Sequence, residues 1–392
     1  MHKNSVPRLR FQGFAGEWER KTLGSVVEIV GGGTPDTTNP NYWNGNIDWY
    51  SPSEIGETVY ANQSMRKITA LGLQKSSATM LPADKTVLFT SRASIGDMAI
   101  LTKDGATNQG FQSFIVGEEL DVYFLYSMGF KIKEFALKNA SGSTFLEVSK
   151  NTLAKMELLA PTKPEQTALS DFFRRLDETL AQARARLAKT QQLKRAMLAK
   201  LFPAQGETAP KLRFQGFSGE WERRALGEVV NVFDNLRIPV AENARIAGST
   251  PYFGANGIQD YVDGFTHDGE FVLIAEDGAN DLQNYPVQYF NGKGWVNNHA
   301  HVLQGKPEFL NNLFLFSRFQ SMDISRFLVG GGRAKLNGST MLEIEIEFPK
   351  DKKEQTAIGN FFQKLDQTLA LQSAALEKLT RLKKALLAAM LA

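Results

Sequence analysis

Apolar residues recur at three- and four-residue steps along two long stretches of the chain. In the stretch 165–201 they fall at Leu169, Phe173, Leu176, Leu180, Leu187, Met197 and Leu201. In the stretch 354–390 they fall at Ile358, Phe362, Leu365, Leu369, Leu376, Leu386 and Met390. This periodicity predicts two helices of roughly 55 Å, each with the apolar seam of a coiled coil.

The two stretches are copies of one element. At an offset of 189 residues they share 19 of 37 positions, far more than two unrelated amphipathic helices would share. Thr162 and Asp351 stand three residues before Glu165 and Glu354, which is the spacing of a capping box at a helix start. Pro203 ends the first copy. Each predicted helix is therefore expected to pair with the other.

Two features of the seam bear on that pairing. Lys194 and Lys383 occupy the same seam position in the two copies, where a charge costs stability but can fix the register. Phe172 and Phe361 lie beside the seam and widen its apolar face, which indicates a further contact outside the helix pair. The residues predicted for helix pairing and partner docking are Phe172, Phe173, Leu176, Leu180, Leu187, Lys194, Phe361, Phe362, Leu365, Leu369, Leu376 and Lys383.

A second repeat precedes each helix. The segment 7–29, PRLRFQGFAGEWERKTLGSVVEI, returns at 210–232 with 16 of 23 positions identical. The chain is therefore a tandem duplication, although the interiors 31–140 and 234–330 share only a succession of short strands and turns. Some runs still correspond: TVLFTSR with FVLIAED, TNQGFQSF with NNHAHVL, and YFLYSM with LFLFSR. A common α+β scaffold with different loops predicts a bivalent binder.

Composition changes this picture little. The 392 residues are 42% apolar and 22% charged, which is ordinary for two or three folded domains. A formal net charge of +3 permits nucleic-acid binding without requiring it. The sequence has no cysteine, no long apolar run and no signal-peptide pattern at MHKNSVPRLR. We therefore expect a cytoplasmic protein without disulfides, thiolate metal sites or membrane contact.

The layout resembles the specificity subunit of type I restriction-modification systems. In the first half the motifs GGGTP, DWYSPSEI and TNQGFQSF carry the resemblance, and in the second half TPYFGANGIQDYVDGFTHDGEFVLIAEDGA and WVNNHAHVL carry it. It implies an α+β fold of two target-recognition domains, separated by two long antiparallel coiled-coil helices in a pseudo-twofold tandem repeat. The expected segments are a first recognition domain at 1–160, a spacer helix at 161–203, a second recognition domain at 204–348 and a second spacer helix at 349–392.

The resemblance also implies a function. Each recognition domain would read one half of an asymmetric, bipartite site in double-stranded DNA, and the helices would set the gap between the halves. Two DNA methyltransferase subunits would dock, followed by two restriction/translocase subunits. The chain itself would be non-catalytic and bind no cofactor. S-adenosylmethionine, ATP and Mg²⁺ would belong to the partners, whose complex would methylate adenine N6 and cleave DNA with ATP.

Base reading requires side chains with paired hydrogen-bonding groups on loops that can enter a groove. Candidates in the first domain are Tyr50, Ser91, Arg92, Asn108, Gln109 and Ser143. Candidates in the second domain are Arg237, Tyr252, Asn256, Asn298, His299, Arg333 and Lys335. For each of them, the alternative is a turn residue or a polar group that holds its own loop.

An enzymatic function or a metal site has weaker support in the sequence than DNA recognition. The loop GGGTP from Gly31 lacks the Gly-Lys-Ser/Thr of a phosphate-binding loop, although glycines beside Arg333 would let a backbone approach phosphate. His299 and His301 lack a third metal ligand in sequence. Glu276 and Asp277 resemble catalytic carboxylates, but no clear second acidic and lysine set completes a nuclease site with them. No amino-methyltransferase motif of the Asn-Pro-Pro-Tyr kind is present.

Two other functional classes stay open from sequence. The chain could be an orphan DNA-binding relative without a methyltransferase, which co-purification would test. It could also be a coiled-coil scaffold that joins two protein-binding modules, which an assay of duplex binding would test.

Overall fold

The computed structural model describes residues 6–142, 146–204, 206–330 and 334–391. Two of the predicted DNA-binding residues, Ser143 and Arg333, lie outside these ranges. The chain forms two compact units, one of Met1–Arg184 with Ala375–Ala392 and one of Ala185–Ala374. Each unit therefore contains one of the two domains expected from the sequence to be recognition domains, with parts of both long helices.

The first unit alternates short strands and helices before the first long helix. Its elements are β1 (Glu19–Thr22), α1 (Leu23–Val26), β2 (Val27–Gly31), β3 (Trp43–Tyr50), β4 (Tyr60–Ala61), β5 (Arg66–Ile68), α2 (Ala70–Gln74), β6 (Thr86–Phe89), β7 (Met98–Leu101), β8 (Gly105–Thr107), β9 (Gln112–Val116), α3 (Val122–Ser127), α4 (Gly129–Asn139), α5 (Lys150–Ala154), β10 (Glu157–Ala160) and α6 (Lys163–Leu201). Over the described residues the sheet orders are β2-β9-β6-β7-β4, β5-β3-β8 and β1-β10.

The second unit repeats this plan with longer strands. Its elements are β11 (Glu222–Ala225), α7 (Leu226–Val229), β12 (Val230–Val232), β13 (Ala247–Gly254), β14 (Gly257–Val262), β15 (His267–Ala275), β16 (Val287–Val296), β17 (Ala300–Gly305), α8 (Asn312–Gln320), α9 (Gly338–Leu342), β18 (Glu345–Phe348) and α10 (Lys352–Met390). Its described sheets run β12-β17-β15-β16-β13-β14 and β11-β18. The continuous β16 pairs with both β15 and β13, whereas the first unit divides this role between β7 and β8.

In the first unit the two long helices pack against each other through the predicted seam. Phe173 of α6 is fully buried in one core with Met390 and Leu391 at the end of α10. Further along α6, Asp177 forms an ion pair with Lys383. Because the position on α10 falls as the position on α6 rises, the two segments run antiparallel.

The second unit shows the same arrangement with the roles of the helices exchanged. Phe202, just after α6, stacks on Phe362 of α10 with ring centroids 5.8 Å apart. Lys194 pairs with Asp366, which is the repeat equivalent of the pair in the first unit. Both seam lysines thus find an aspartate on the other helix, as expected of charges that fix the register.

The remaining seam residues differ in depth. Leu180 is buried, Leu176 and Leu365 pack against the two cores, and Leu187, Leu369 and Leu376 are half-buried. No helix in the described ranges is long and apolar enough to cross a membrane.

The helix starts correct one detail of the sequence analysis. Glu165 and Glu354 do not complete capping boxes, because arginines of the repeated RFQGF segments take their carboxylates. Arg10 donates to both oxygens of Glu165, each over 2.7 Å, and Arg213 donates to Glu354 over 2.6 and 2.7 Å. The two most strongly repeated segments are therefore each other's partners.

The same segments cover the extra apolar width beside the seam. Phe11 packs edge to face on Phe172 at 5.5 Å, and Phe214 packs on Phe361 at 5.7 Å. The chain itself thus covers part of the surface that suggested an outside contact, and both phenylalanines are half-buried. The width of the seam is therefore no argument for a partner.

Candidate nucleic-acid interface

Loops of the first recognition domain converge where β3, β6 and β8 end. The backbone N–H of Asn108 donates to the carbonyl of Tyr50 over 3.0 Å, and its side-chain oxygen accepts from the N–H of Gly110 over 2.7 Å. The carbonyl of Gly110 accepts from the N–H of Ser91 over 2.8 Å. These bonds bring four predicted residues, with Gln109 as the fourth, to one edge of the domain.

Gln109 is the most exposed of the predicted residues at this edge. Its amide oxygen accepts from the hydroxyl of Thr34. Arg92 is half-buried, as is Asn108, and stands opposite Glu147 in an isolated antiparallel bridge. The bridge ties the segment that follows β6 to Glu147.

Three predicted residues lie in the core instead. Tyr50 and Tyr252 are each 1% exposed and Ser91 is 0% exposed. The hydroxyl of Tyr252 accepts from the N–H of Val240 over 2.9 Å, which holds the loop before β13. A side chain without exposed surface cannot reach a base, so the structure argues against DNA contact by these three and assigns them to packing.

The second recognition domain repeats the backbone pattern of the edge. The N–H of Asn297 donates to the carbonyl of Phe253 over 3.1 Å, and its side-chain oxygen accepts from the N–H of His299 over 2.8 Å. The carbonyl of His299 accepts from the N–H of Glu276 over 2.9 Å. The runs that corresponded in sequence therefore occupy corresponding places in the fold.

These matched bonds align the two edges residue by residue. Asn297 corresponds to Asn108, and the exposed Asn298 corresponds to Gln109. Sequence comparison paired the runs but could not give this register, because the identities there are few.

The aligned bridges carry opposite charges. Arg92 faces Glu147 in the first domain, whereas Asp277 faces Lys335 in the second. The same backbone frame thus presents a basic residue on one edge and an acidic residue at the equivalent place on the other.

Charged side chains gather at the turn after β15. Glu276 accepts from Arg237 over 2.7 Å and pairs with Lys335 over 3.0 Å, and His299 pairs with Asp277. Burial by itself would raise the pKa of Glu276, but the hydrogen bonds from the two cations hold it below its ordinary value. The predicted residues Arg237, His299 and Lys335 thus meet around two carboxylates.

Asn256 closes the same turn from the other side. Its amide N–H donates to the carbonyl of Gly278 over 2.9 Å, and its oxygen accepts from the N–H of Asn280 over 2.9 Å. The residue is exposed, but both ends of its amide already hold the turn. Its immediate role in the structure is therefore to shape the loop.

One group in the described ranges has the spacing of metal ligands: Asp234, Glu276 and His301, with ligand atoms within 4.8 Å of one another. Nδ1 of His301 lies 2.6 Å from Asp234, and its Nε2 lies 2.9 Å from the carbonyl of Leu336. Arg237 reaches both carboxylates. Because protein cations neutralise these acids, the geometry is that of an ion-pair network.

Sequence analysis did not find Asp234, which ties this network together. Besides His301, it accepts from the N–H of Val302 over 2.7 Å and holds Arg237 at 3.4 Å. The residue lies 67 and 68 positions from His301 and Val302 but only three from Arg237, and it belongs to no repeated motif. The spacing from Arg237 is a local signal, but the contacts with the two distant residues depend on the fold.

The network predicts pH-dependent stability. Burial would lower the pKa of His301, but its hydrogen bonds to Asp234 and to a backbone carbonyl raise it above 6.5. A raised folded-state pKa stabilises the protein fully below the unfolded pKa, and this contribution is lost as pH rises through the folded pKa. We expect His301→Gln to cost about 1–3 kcal/mol at pH 5.5 and less at pH 8.5, measured by urea unfolding.

A substitution cost that is equal at the two pH values would contradict this prediction. Asp234 does not reverse the trend between them. Burial would raise the pKa of its carboxyl, but the hydrogen bond from His301 and its other partners lower it below its ordinary value. Its contribution is therefore lost only in stronger acid.

The fold defines a class before any comparison: a tandem repeat of two mixed α/β domains, each followed by a long helix and each with a polar loop edge. The sequence model described as "Type I restriction modification DNA specificity domain" matches the chain twice, at residues 15–192 and 218–381. The chain belongs to this family.

Individual proteins agree with the assignment. The specificity subunit of the Escherichia coli type I restriction enzyme EcoprrI is 25% identical over 351 residues, which is 86% of this chain and 85% of that protein. A relative from Haemophilus influenzae is 49% identical over 135 residues, and the match spans about a third of each protein, 34% in both cases. The crystal structure of the S subunit of a type I restriction-modification system from M. genitalium superposes with a TM-score of 0.68 at 17% identity, over 99% of both chains.

Proposed function

We propose that this chain is the DNA-recognition subunit of a type I restriction-modification complex and reads an asymmetric bipartite site. Each recognition domain reads one half of the site, and the helices α6 and α10 set the gap. The observation that carries the proposal is the double match to one DNA specificity domain, once in each half of the chain. The segment boundaries given from sequence, at 160, 203 and 348, are part of this proposal.

Asymmetry of the site follows from the aligned edges. The backbone frame is the same in both domains, but the groups at one equivalent place differ, with half-buried Arg92 on the first edge and Asp277 on the second. An arginine offers two donors, which suits guanine, whereas an aspartate offers only acceptors, which suits the amino group of cytosine. Two edges with different hydrogen-bonding groups select different bases, so the site is not a palindrome.

The repeated frame supports two equal docking places for one kind of partner. The pairs Arg10–Glu165 and Arg213–Glu354 build the same junction between domain and helix in both units. A repeated surface on one chain suits two copies of one subunit. In the proposed complex these are two methyltransferase subunits, through which two restriction/translocase subunits join, and S-adenosylmethionine, ATP and Mg²⁺ bind to those partners.

The proposal predicts a methylation pattern in cells. Genome-wide mapping of N6-methyladenine in cells that express this chain with its neighbouring methyltransferase is expected to show one bipartite asymmetric motif. The same cells without this chain should lack the motif, because in the proposed complex the recognition domains belong to this chain.

Absence of the motif would contradict the complex as proposed. A pull-down of bound DNA and protein then separates the alternatives. Duplex binding without a methyltransferase would indicate an orphan DNA-binding relative, and protein partners without DNA would indicate a scaffold.

A further inference from the structure

The guanidinium of Arg66 rests on an aromatic platform in the first recognition domain. Its Cζ lies 3.7 Å from the ring centroid of Trp43 and 5.5 Å from that of Trp49. The two tryptophan rings meet edge to face, with centroids 5.1 Å apart. Stacking of this kind orients an arginine and leaves the N–H groups at the rim of its plane available.

Backbone hydrogen bonds hold the platform in place. The indole N–H of Trp43 donates to the carbonyl of Asp36 over 3.0 Å, and that of Trp49 donates to the carbonyl of Gly33 over 2.9 Å. Trp43 is 8% exposed and Trp49 is 4% exposed. The arginine therefore lies on a rigid support.

Arg66 itself carries an uncompensated charge. It is exposed, and among the residues described no acceptor takes a hydrogen bond from its guanidinium and no carboxylate pairs with it. Its neighbour Met65 is 88% exposed, so this end of the strand projects into solvent. An oriented, exposed and unpaired guanidinium is suited to bind an anion from outside the chain.

In the second domain the residue at the place of Arg66 is an acid, because Asp260 pairs with Tyr252 on β13 as Arg66 pairs with Trp49 on β3. Arg245 lies 4.2 Å from the ring of Tyr252, but its guanidinium donates to the carbonyl of Val240 over 3.2 Å and to Asp260 over 3.4 Å. The second domain therefore presents an acid where the first presents Arg66, and the arginine stacked on its Tyr252 already has two acceptors.

The sheet places Arg66 beside the reading edge. Arg66 pairs with Trp49 on β3, and Trp49 pairs with Ala106 on β8. Because neighbouring strands lie about 4.8 Å apart, Arg66 is about 10 Å from β8. Asn108 and Gln109 follow directly at the end of that strand, so one duplex can contact all three residues.

We propose that Arg66 binds a backbone phosphate of the half-site that the first recognition domain reads. The inference rests on the proposed function. The planar guanidinium matches two phosphate oxygens, and its stacked position reduces the entropy lost on binding. Such a contact fixes the position of the domain on the duplex and carries no base preference. The reading of bases stays with the exposed residues of the neighbouring edge.

The test measures salt dependence of DNA binding by the full complex. Fluorescence anisotropy would follow binding of a duplex with the mapped motif and of one with a scrambled first half-site, from about 50 to 200 mM salt. Arg66→Met keeps an unbranched apolar chain over Trp43 and removes the charge. We expect about tenfold weaker binding of both duplexes and a salt slope smaller by about 0.9, because one phosphate contact is lost.

Two further variants make the result specific. Arg66→Lys restores a cation and is expected to recover the salt slope. Arg20→Met removes the same unit of charge from a surface pair with Glu157 that lies on another sheet, so its slope should equal that of the wild type. Equal slopes for Arg66→Met and the wild type, or equal losses for Arg66→Met and Arg20→Met, would overturn the inference. Failure of the wild-type complex to prefer the mapped motif would instead overturn the proposed function.

Discussion

Glu354→Gln is expected to lower the free energy of unfolding by about 3 kcal/mol. Glu354 is 1% exposed, and its two oxygens accept from Nε and an Nη of Arg213. The amide keeps the size of the side chain but removes the charge, so the arginine, whose side chain is only 18% exposed, loses its counterion. The loss of one partner from a buried pair costs more than the pair contributes, because the other charge stays buried.

The repeat supplies a matched experiment. Glu165 makes the same two bonds to Arg10 in the other unit, so Glu165→Gln should have a similar effect, and the two effects should add. The exposed pair Arg20–Glu157 is the control, because replacement of Glu157 by glutamine should cost less than 1 kcal/mol. Urea unfolding of the purified chain measures all three variants. A cost below 1 kcal/mol for Glu354→Gln would show that Arg213 finds another partner or solvent.

A matched shortening of both spacer helices is expected to shorten the gap of the DNA site without changing either half-site. The deletion removes residues 182–185 from α6 and 371–374 from α10, which are equivalent stretches of one turn. Four residues of helix span about 6 Å, and one base pair spans about 3.4 Å, so the gap should shrink by one or two base pairs. Methylation mapping of cells with the variant measures this directly.

The change must be made in both helices. Lys194 follows Asp177 by seventeen positions on α6, and Lys383 follows Asp366 by seventeen positions on α10. These residues form the two seam ion pairs, so equal deletions keep both pairs in register. Deletion in α6 alone should impair folding and methylation, because one pair would then be out of register. A changed half-site sequence in the matched variant would contradict the role of the helices as spacers.

The two seam ion pairs are equivalent in sequence, but their aspartates differ in the other hydrogen bonds that they make. Asp177 also accepts from the hydroxyl of Tyr123 over 2.8 Å, so both of its oxygens are satisfied. In the second unit Leu313 stands at the position of that tyrosine, and one oxygen of Asp366 is buried without a partner among the described residues. Equivalent aspartates on the seam therefore differ in how fully residues of the neighbouring domain donate hydrogen bonds to their carboxylate oxygens.

Some predictions from sequence hold closely and others fail for identifiable reasons. Both long helices begin within two residues of the predicted start, because an apolar seam and a repeated motif together define them. The capping boxes fail because the pattern does not show that Arg10 and Arg213 compete for the carboxylates. Partner docking at Phe172 and Phe361 stays a prediction, but the width of the apolar face no longer supports it, because Phe11 and Phe214 pack against these residues.

The sequence by itself determined the duplication, the α+β class, the two coiled-coil helices and the family. These properties are encoded in local periodicity and in repeated motifs, which need no knowledge of distant contacts. Only the tertiary structure decided which polar residues share an edge, which are buried like Tyr50 and Tyr252, and that Arg66 has no anionic partner among the described residues. Those outcomes depend on the register between strands far apart in the chain, as in the bonds of Asn108 to Tyr50 and of Asp234 to His301. A shift of one residue in such a pairing would turn each side chain to the other face of the sheet.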